Sequence, residues 1–86
     1  MPNFKSADPV EVDVSPGVEF EVKVDGVAAT ISSITEESDG LNEQSEGSMA
    51  DGDRMAYFGS AHRLKITPAS ATGRYNVTKK QYRGER

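Results

Sequence analysis

One stretch decides the fold expected for this chain: Val18-Glu-Phe-Glu-Val-Lys-Val-Asp-Gly-Val-Ala-Ala-Thr-Ile-Ser-Ser33. Apolar and polar residues alternate strictly from residue 18 to residue 24, which is typical of a half-buried antiparallel strand. Asp25-Gly26 separates this run from a second one, and Asp-Gly in such a place favours a two-residue type I′ turn. The stretch therefore predicts a β-hairpin in which Val24 faces Val27.

The preceding run, residues 10–14, alternates in the same way. If a three-residue loop joined it to the hairpin in one sheet, Asp13 would lie opposite Glu19 and Glu11 opposite Glu21. Like charges directly opposite each other destabilise a sheet. Either a cation or a basic surface covers that face, or the first strand crosses to a second sheet. We expect the crossing, because two facing sheets are how small β-domains close a core.

Further strands follow in the second half of the chain. Gly59-Ser60 separates two strand-like runs and suits a type II′ turn, so a second hairpin is expected, with Tyr57 opposite His62. The strands predicted in this half are residues 54–58, 61–66 and 74–78. Six short strands at this spacing predict an all-β fold, a small antiparallel sandwich or barrel.

Residues 64–77 resemble the late strands of immunoglobulin-like domains. The resemblance consists of Leu64-x-Ile66, a turn with Gly73, and Tyr75-x-Val77, about a sixth of the chain. Ala71 stands where that family usually has an acid, and the chain has no Cys or Trp landmark. The resemblance implies a sandwich and no function, since such folds carry many functions.

The charge of the chain is divided along the sequence. Residues 1–62 carry thirteen acidic and three basic residues, a net charge of −10, and residues 63–86 carry seven basic residues and one acid, a net charge of +6. Such asymmetry points to partners more than to fold. The 86 residues, without cysteine, predict a single small domain with a modest core, so docking into a larger assembly is expected.

The expected organisation has three parts. Residues 1–8 form an N-terminal arm, residues 9–78 a single β-domain, and residues 79–86 a basic C-terminal tail. Within the domain, residues 35–53 carry seven acids, no base and few apolar side chains. That composition predicts a long, mobile acidic loop.

Candidate catalytic and metal-binding residues are few. His62 is the only histidine, and no recognised nucleophile or orienting partner accompanies it, so a packing role is expected. Asp51-Gly52-Asp53, with acids upstream at Asp39, Glu43 and Glu46, lacks the spacing of an EF-hand, and a solvated acidic loop is expected in place of a metal site.

The carboxylates at residues 11, 13, 19 and 21 alternate with apolar residues and are interpreted as the solvent-facing side of strands. Cysteine chemistry is excluded by composition. We expect no enzyme activity, no cofactor and no small-molecule substrate.

We expect a structural or interaction subunit of a larger assembly, with a virion accessory protein (decoration or head/tail) as a specific guess. The basic tail of one subunit would dock on the acidic face of its neighbour or of another partner. The candidate partner-binding residues are Arg74, Lys79, Lys80, Tyr82, Arg83, Arg86, Glu36, Glu37 and Asp39.

Two alternatives stay open. The basic tail, with Tyr75 and Tyr82 interleaved, could bind nucleic acid, or the acidic loop could inhibit an enzyme with a basic cleft. No signal peptide and no apolar run long enough to cross a membrane is visible in the sequence. The expected location is therefore the cytoplasm or a virion.

Overall fold

A computed structural model describes residues 3–37 and 40–80, apart from the side chain of Glu37. These residues form seven strands and no helix. They therefore contain no helix that could cross a membrane. The strands are β1 (Val10–Asp13), β2 (Phe20–Asp25), β3 (Ala29–Glu37), β4 (Gly40–Met49), β5 (Arg54–Tyr57), β6 (Arg63–Pro68) and β7 (Arg74–Lys79).

The strands form two antiparallel sheets, in the orders β1-β6-β3-β4 and β5-β2-β7. The apolar sides of the two sheets contribute to one buried cluster, which is the arrangement of a β-sandwich. The predicted all-β sandwich is confirmed. The buried members of the cluster are Phe4, Val14, Phe20, Val22, Val24, Val27, Ala29, Ile31, Met49, Tyr57, Ala61, Leu64 and Ile66.

The predicted hairpin at Asp25-Gly26 is wrong, because β2 and β3 lie in different sheets. A type I′ turn needs positive φ at both central residues, and only Gly26 has it, at +83°. The Gly26 N–H donates to Asp51 Oδ1 at 2.7 Å, and Val27 turns into the core. Asp-Gly here carries the chain from one sheet to the other.

The predicted hairpin at Gly59-Ser60 is wrong for the same reason. β5 pairs with β2, and β6 pairs with β1 and β3 in the opposite sheet. A type II′ turn requires positive φ at its first central residue, and Gly59 does not have it. Tyr57 therefore lies opposite Phe20 and not opposite His62.

The predicted crossing of the first strand is confirmed. β1 pairs with β6, which sets Glu11 opposite Lys65 and Asp13 opposite Arg63. The like-charge contacts expected from a single sheet are thus replaced by opposite charges, which stabilise a cross-strand pair.

The acidic segment, residues 35–53, differs most from the structure predicted from the sequence. Residues 35–37 continue β3, and residues 40–49 form β4, which pairs with β3 along its whole length. The expected mobile loop is therefore a long β-hairpin, and only residues 50–53 connect it to β5.

The neighbour relations of five strands match part of the immunoglobulin arrangement. With β1, β2, β3, β6 and β7 taken as B, C, D, E and F, the order B-E-D in one sheet and C-F in the other is reproduced. β4 and β5 depart from it, since they precede the E-like strand in sequence and lie at outer edges of the two sheets.

Candidate interaction surface at the hairpin end

The β3–β4 hairpin extends beyond the strand that supports it. β6 pairs with β3 only from Ala29 to Ile34, whereas β4 continues the pairing to Glu37. We call residues 35–37 and 40–42 the hairpin arm. Its two strands are held together by their own ladder, without a third strand beside them among the described residues.

The base of the hairpin arm is anchored by His62 and Arg63. The His62 N–H donates to the Ile34 carbonyl at 2.9 Å, and the Glu36 N–H donates to His62 Nδ1 at 3.4 Å. The Glu36 carboxylate lies 3.6 Å from the Arg63 guanidinium. The sole histidine is therefore a structural joint between the arm and the start of β6.

Several connections meet at the same end of the sandwich as the arm, and we call this the hairpin end. Cross-strand partners define this end. The pairing of β3 with β6 stops at Ile34, opposite Arg63, and β1 also ends opposite Arg63. β2 begins at Phe20, which lies between Tyr57 of β5 and Lys79 of β7. The arm, the connection from Phe58 to His62 and the end of β7 therefore emerge together.

Two large apolar side chains are exposed at the hairpin end. Leu41, in the arm, is 64% exposed, and Phe58, directly after β5, is 68% exposed. Neither residue was among the site residues predicted from the sequence. The available signal was a lone leucine in an otherwise polar acidic segment and an aromatic residue next to Gly59-Ser60.

The predicted partner-binding residues are only partly brought together. Glu36, Lys79 and Lys80 lie at the hairpin end, and Lys80 forms an ion pair with Glu19 at 3.6 Å. Arg74 begins β7 at the opposite end, where it forms an ion pair with Asp25 at 2.7 Å beside an open groove of about 460 Å³. The predictions for Asp39, Tyr82, Arg83, Arg86 and the side chain of Glu37 lie outside the described residues.

The charge division along the sequence is largely compensated within the fold. Of the six ion pairs described here between residues 11 and 80, five join a base of residues 63–80 to an acid of residues 11–43. Arg63, for example, lies 2.7 Å from Glu11 on β1, and Lys65 lies 3.3 Å from Glu43 on β4. The basic strands of the second half are thus inserted among acidic strands of the first half.

The outer edge of β4 has no neighbouring strand among the described residues. A bulge interrupts β4 where Gly47 lies opposite Ile31 and Ser45 opposite Ser32, which leaves Glu46 as the extra residue. Glu46 Oε2 accepts a hydrogen bond of 2.7 Å from the buried Ser33 hydroxyl. The regular part of this edge is therefore Gly40 to Ser45.

The carboxylates of the Asp51-Gly52-Asp53 turn bind backbone amides. Asp51 accepts from Gly26 N–H at 2.7 Å, and Asp53 accepts from Ala50 N–H at 3.0 Å. Within residues 3–37 and 40–80, no group of three or more His, Asp or Glu side chains is arranged to hold a metal ion. This turn connects β4 of one sheet to β5 of the other, and its bond to Gly26 holds it against the β2–β3 crossover.

Comparison with known proteins found no match. No family model matches the chain, and no significant similarity to a curated protein or a solved structure was found.

Proposed function

We propose that the protein is a non-enzymatic structural or interaction subunit of a larger assembly, and that it contacts its partner through the β3–β4 hairpin. One observation carries this proposal: β4 is a ten-residue edge strand, and no other strand among the described residues lies along its outer side. Free strand edges are templates for pairing with another chain.

The physical basis is strand addition. An extended segment that joins a sheet edge gains main-chain hydrogen bonds, and alternate side chains supply specificity. Leu41 offers an apolar contact at the tip of the arm, and Phe58 offers a second one at the same end of the molecule. Large exposed apolar side chains near a free edge favour a protein partner.

The charge of the hairpin favours a basic partner. Glu36, Glu43 and Glu46 lie on its two strands, which carry no base. Arg63 and Lys65 of β6 compensate part of this charge. Lysine or arginine residues of a partner at the β4 edge complement the negative potential of the hairpin. Such complementarity fixes the orientation of binding and speeds encounter.

A virus particle is the specific assembly that size and composition suggested, and a decoration or head/tail role is included in the proposal as a hypothesis. Self-association and a cytoplasmic or virion location belong to the same hypothesis.

The alternative of nucleic-acid binding has one favourable observation. Lys79 and Lys80 are exposed at the hairpin end, where Phe58 offers an aromatic face. The ion pair between Lys80 and Glu19 reduces the charge available to phosphates. A mobility-shift assay with single- and double-stranded DNA at low and moderate salt separates the two functions: a salt-sensitive shift supports this alternative, and no shift rejects it.

The proposal is tested by sedimentation of the tagged full chain, expressed at its natural level in the cells or particles where it occurs. We expect it to sediment with a large complex, and we expect Leu41→Asp to release it. Ala71→Asp, an equally charged change at an exposed position of the opposite end, is the matched control. Sedimentation of the unaltered chain as a free 9.3 kDa protein would contradict the proposal.

A further inference from the structure

We infer that a second copy of this chain is one of its partners, and that the outer face of the β1-β6-β3-β4 sheet of one copy docks on the outer face of the β5-β2-β7 sheet of the other. The described side chains leave residual charges of opposite sign on these two faces. The inference rests on the proposed function, since it names a partner in the same assembly. It adds a surface that the β3–β4 hairpin does not contain.

The outer face of the β1-β6-β3-β4 sheet has more acids than bases. Leu64 and Ile66 of β6 are buried, so Arg63 and Lys65 point away from the core. Cross-strand pairing sets acids of β1, β3 and β4 on the same side. We call this surface the acidic face, and its charged side chains are Glu11, Asp13, Glu36, Glu43, Arg63 and Lys65.

One acid of the acidic face has no described partner. Arg63 forms ion pairs with two acids, at 2.7 and 3.6 Å, and Lys65 with one, at 3.3 Å. Asp13 is exposed, and its carboxylate forms no ion pair or hydrogen bond with any other described side chain, although it lies opposite Arg63 in register. The residual negative charge of this face therefore includes the Asp13 carboxylate.

The outer face of the β5-β2-β7 sheet has more bases than acids. Val22 and Val24 of the central strand are buried, so Glu21, Lys23 and Asp25 point outward. The flanking strands add bases on the same side. We call this surface the basic face, and its charged side chains are Glu19, Glu21, Asp25, Lys23, Arg54, Arg74 and Lys80.

Lys23 is the uncompensated base of the basic face. Each acid of this face forms an ion pair with a base of a flanking segment, and the pairs are Glu19–Lys80, Glu21–Arg54 and Asp25–Arg74. Within residues 3–37 and 40–80, Lys23 forms no ion pair or side-chain hydrogen bond. Arg54 lies directly opposite Lys23, and like charges in that position repel. A carboxylate placed over the two cations relieves this repulsion.

Residual charge favours contact between unlike faces. Two acidic faces would bring two Asp13 carboxylates together, and two basic faces would bring two Lys23 ammonium groups together. Contact of the acidic face with the basic face pairs one with the other, which fixes orientation. Because the contact joins two different surfaces, it is heterologous, and each dimer keeps one face of each kind for a further copy.

Exposed apolar side chains lie at both faces. Leu41 is opposite Glu36 and so belongs to the acidic face, and Phe58 directly follows β5 at the end of the basic face. Aromatic and aliphatic side chains of this size supply the apolar part of protein interfaces. The contact therefore combines charge with apolar burial.

The test measures self-association of the full chain by sedimentation equilibrium at about 30 mM and about 300 mM NaCl. We expect association that weakens at the higher salt. Lys23→Glu and Asp13→Lys should each lower the association constant by about tenfold or more. Lys5→Glu and Asp8→Lys are the matched controls, since they make the same charge changes at exposed residues before β1, outside both faces. They should associate like the unaltered chain.

Mixing the two reversed variants makes the test specific. Alone, Lys23→Glu sets an acid against Asp13, and Asp13→Lys sets a base against Lys23. In an equimolar mixture the reversed positions complement each other, so association should return to about the level of the unaltered chain. Circular dichroism confirms that each variant is folded. If a reversed variant is unfolded, Lys23→Gln or Asp13→Asn replaces it and should weaken association to a smaller extent.

A chain that stays monomeric up to about 1 mM at low salt would overturn the inference. Lys23→Glu that associates like Lys5→Glu would also overturn it, as would a mixture that associates no better than its components. These outcomes leave the proposed function standing if the natural-level protein still sediments with a large complex. Absence of that complex with self-association intact would overturn the proposed function alone.

Discussion

At the scale of single residues, the crossover from β2 to β3 depends on two glycines in close contact. A Cβ on Gly26 would lie 3.3 Å from the Gly73 Cα, and a Cβ on Gly73 would lie 2.6 Å from Val27 Cγ1 and 2.8 Å from the Asp25 carbonyl oxygen. This approach seats Val27 in the core. It also brings the β6–β7 connection into contact with the β2–β3 connection.

Gly73→Ala should therefore destabilise the fold more than Gly52→Ala. Both glycines have similar positive φ, +90° and +85°, so both substitutions share the backbone cost of about 1–2 kcal/mol. A Cβ at Gly52 meets nothing within 4 Å, whereas one at Gly73 adds overpacking of about 1–3 kcal/mol. Urea unfolding of the two variants measures this difference, and equal midpoints would contradict the close packing.

Tyr57→Phe should lower the free energy of unfolding by about 1–3 kcal/mol, because it leaves a buried backbone donor without an acceptor. The Tyr57 hydroxyl accepts from Ala61 N–H at 3.2 Å, and Ala61 is fully buried. Tyr75→Phe is the control, since the Tyr75 ring packs against Phe4 with ring centroids 4.8 Å apart, and that contact persists without the hydroxyl. Thermal unfolding compares them, and an equally small effect of both would show that the Tyr57 bond contributes little.

At the scale of elements, alternation located most strands but did not identify their partners. Val22 and Ile31 have the same apolar pattern around them whether their strands pair in one sheet or face each other across a core. The two geometries bury the same side chains, so period-two alternation cannot distinguish them. The like charges of β1 were informative, because they made one-sheet pairing unfavourable.

The acidic strand β4 was missed for a different physical reason. Only Met49 of its ten residues is buried, so it carries almost no hydrophobic signal. It is an edge strand whose stability comes from its ladder with β3 and from the Ser33–Glu46 bond. Of the residues at the candidate site, Glu36, Lys79 and Lys80 were predicted from the sequence. The exposure of Leu41 and Phe58 was not predicted, because it depends on where the strands end.

Ion pairs between strands should contribute according to geometry. Arg63 and Glu11 lie 2.7 Å apart with side chains 28% and 45% exposed, whereas Arg54 and Glu21 lie 3.8 Å apart with side chains 63% and 37% exposed. A double-mutant cycle with glutamine should give a coupling of about 0.5–1 kcal/mol for the first pair and near zero for the second. A larger coupling for the second pair would show that these distances do not govern the energetics.

At the scale of the whole molecule, the division of charge along the sequence does not become a division in space. Folding places the basic β6 between the acid-bearing strands β1 and β3, and Arg74 and Lys80 pair with acids of the β2 region. What remains for a partner is the acidic hairpin, since no strand among the described residues lies along the outer edge of β4. Association of this acidic hairpin with a basic partner should weaken as salt increases.

Residues 40–49 form an ordered strand, and no strand among the described residues lies along its outer edge. Amide hydrogen exchange of the full chain, followed by NMR at about 300 mM NaCl to screen association, tests this arrangement most directly. In an antiparallel edge strand, alternate amides bond to the neighbour and the others face solvent. We predict alternating slow and fast exchange from Gly40 to Ser45, whereas uniformly fast exchange, as in a mobile loop, or uniformly slow exchange, as on an occupied edge, would contradict the account.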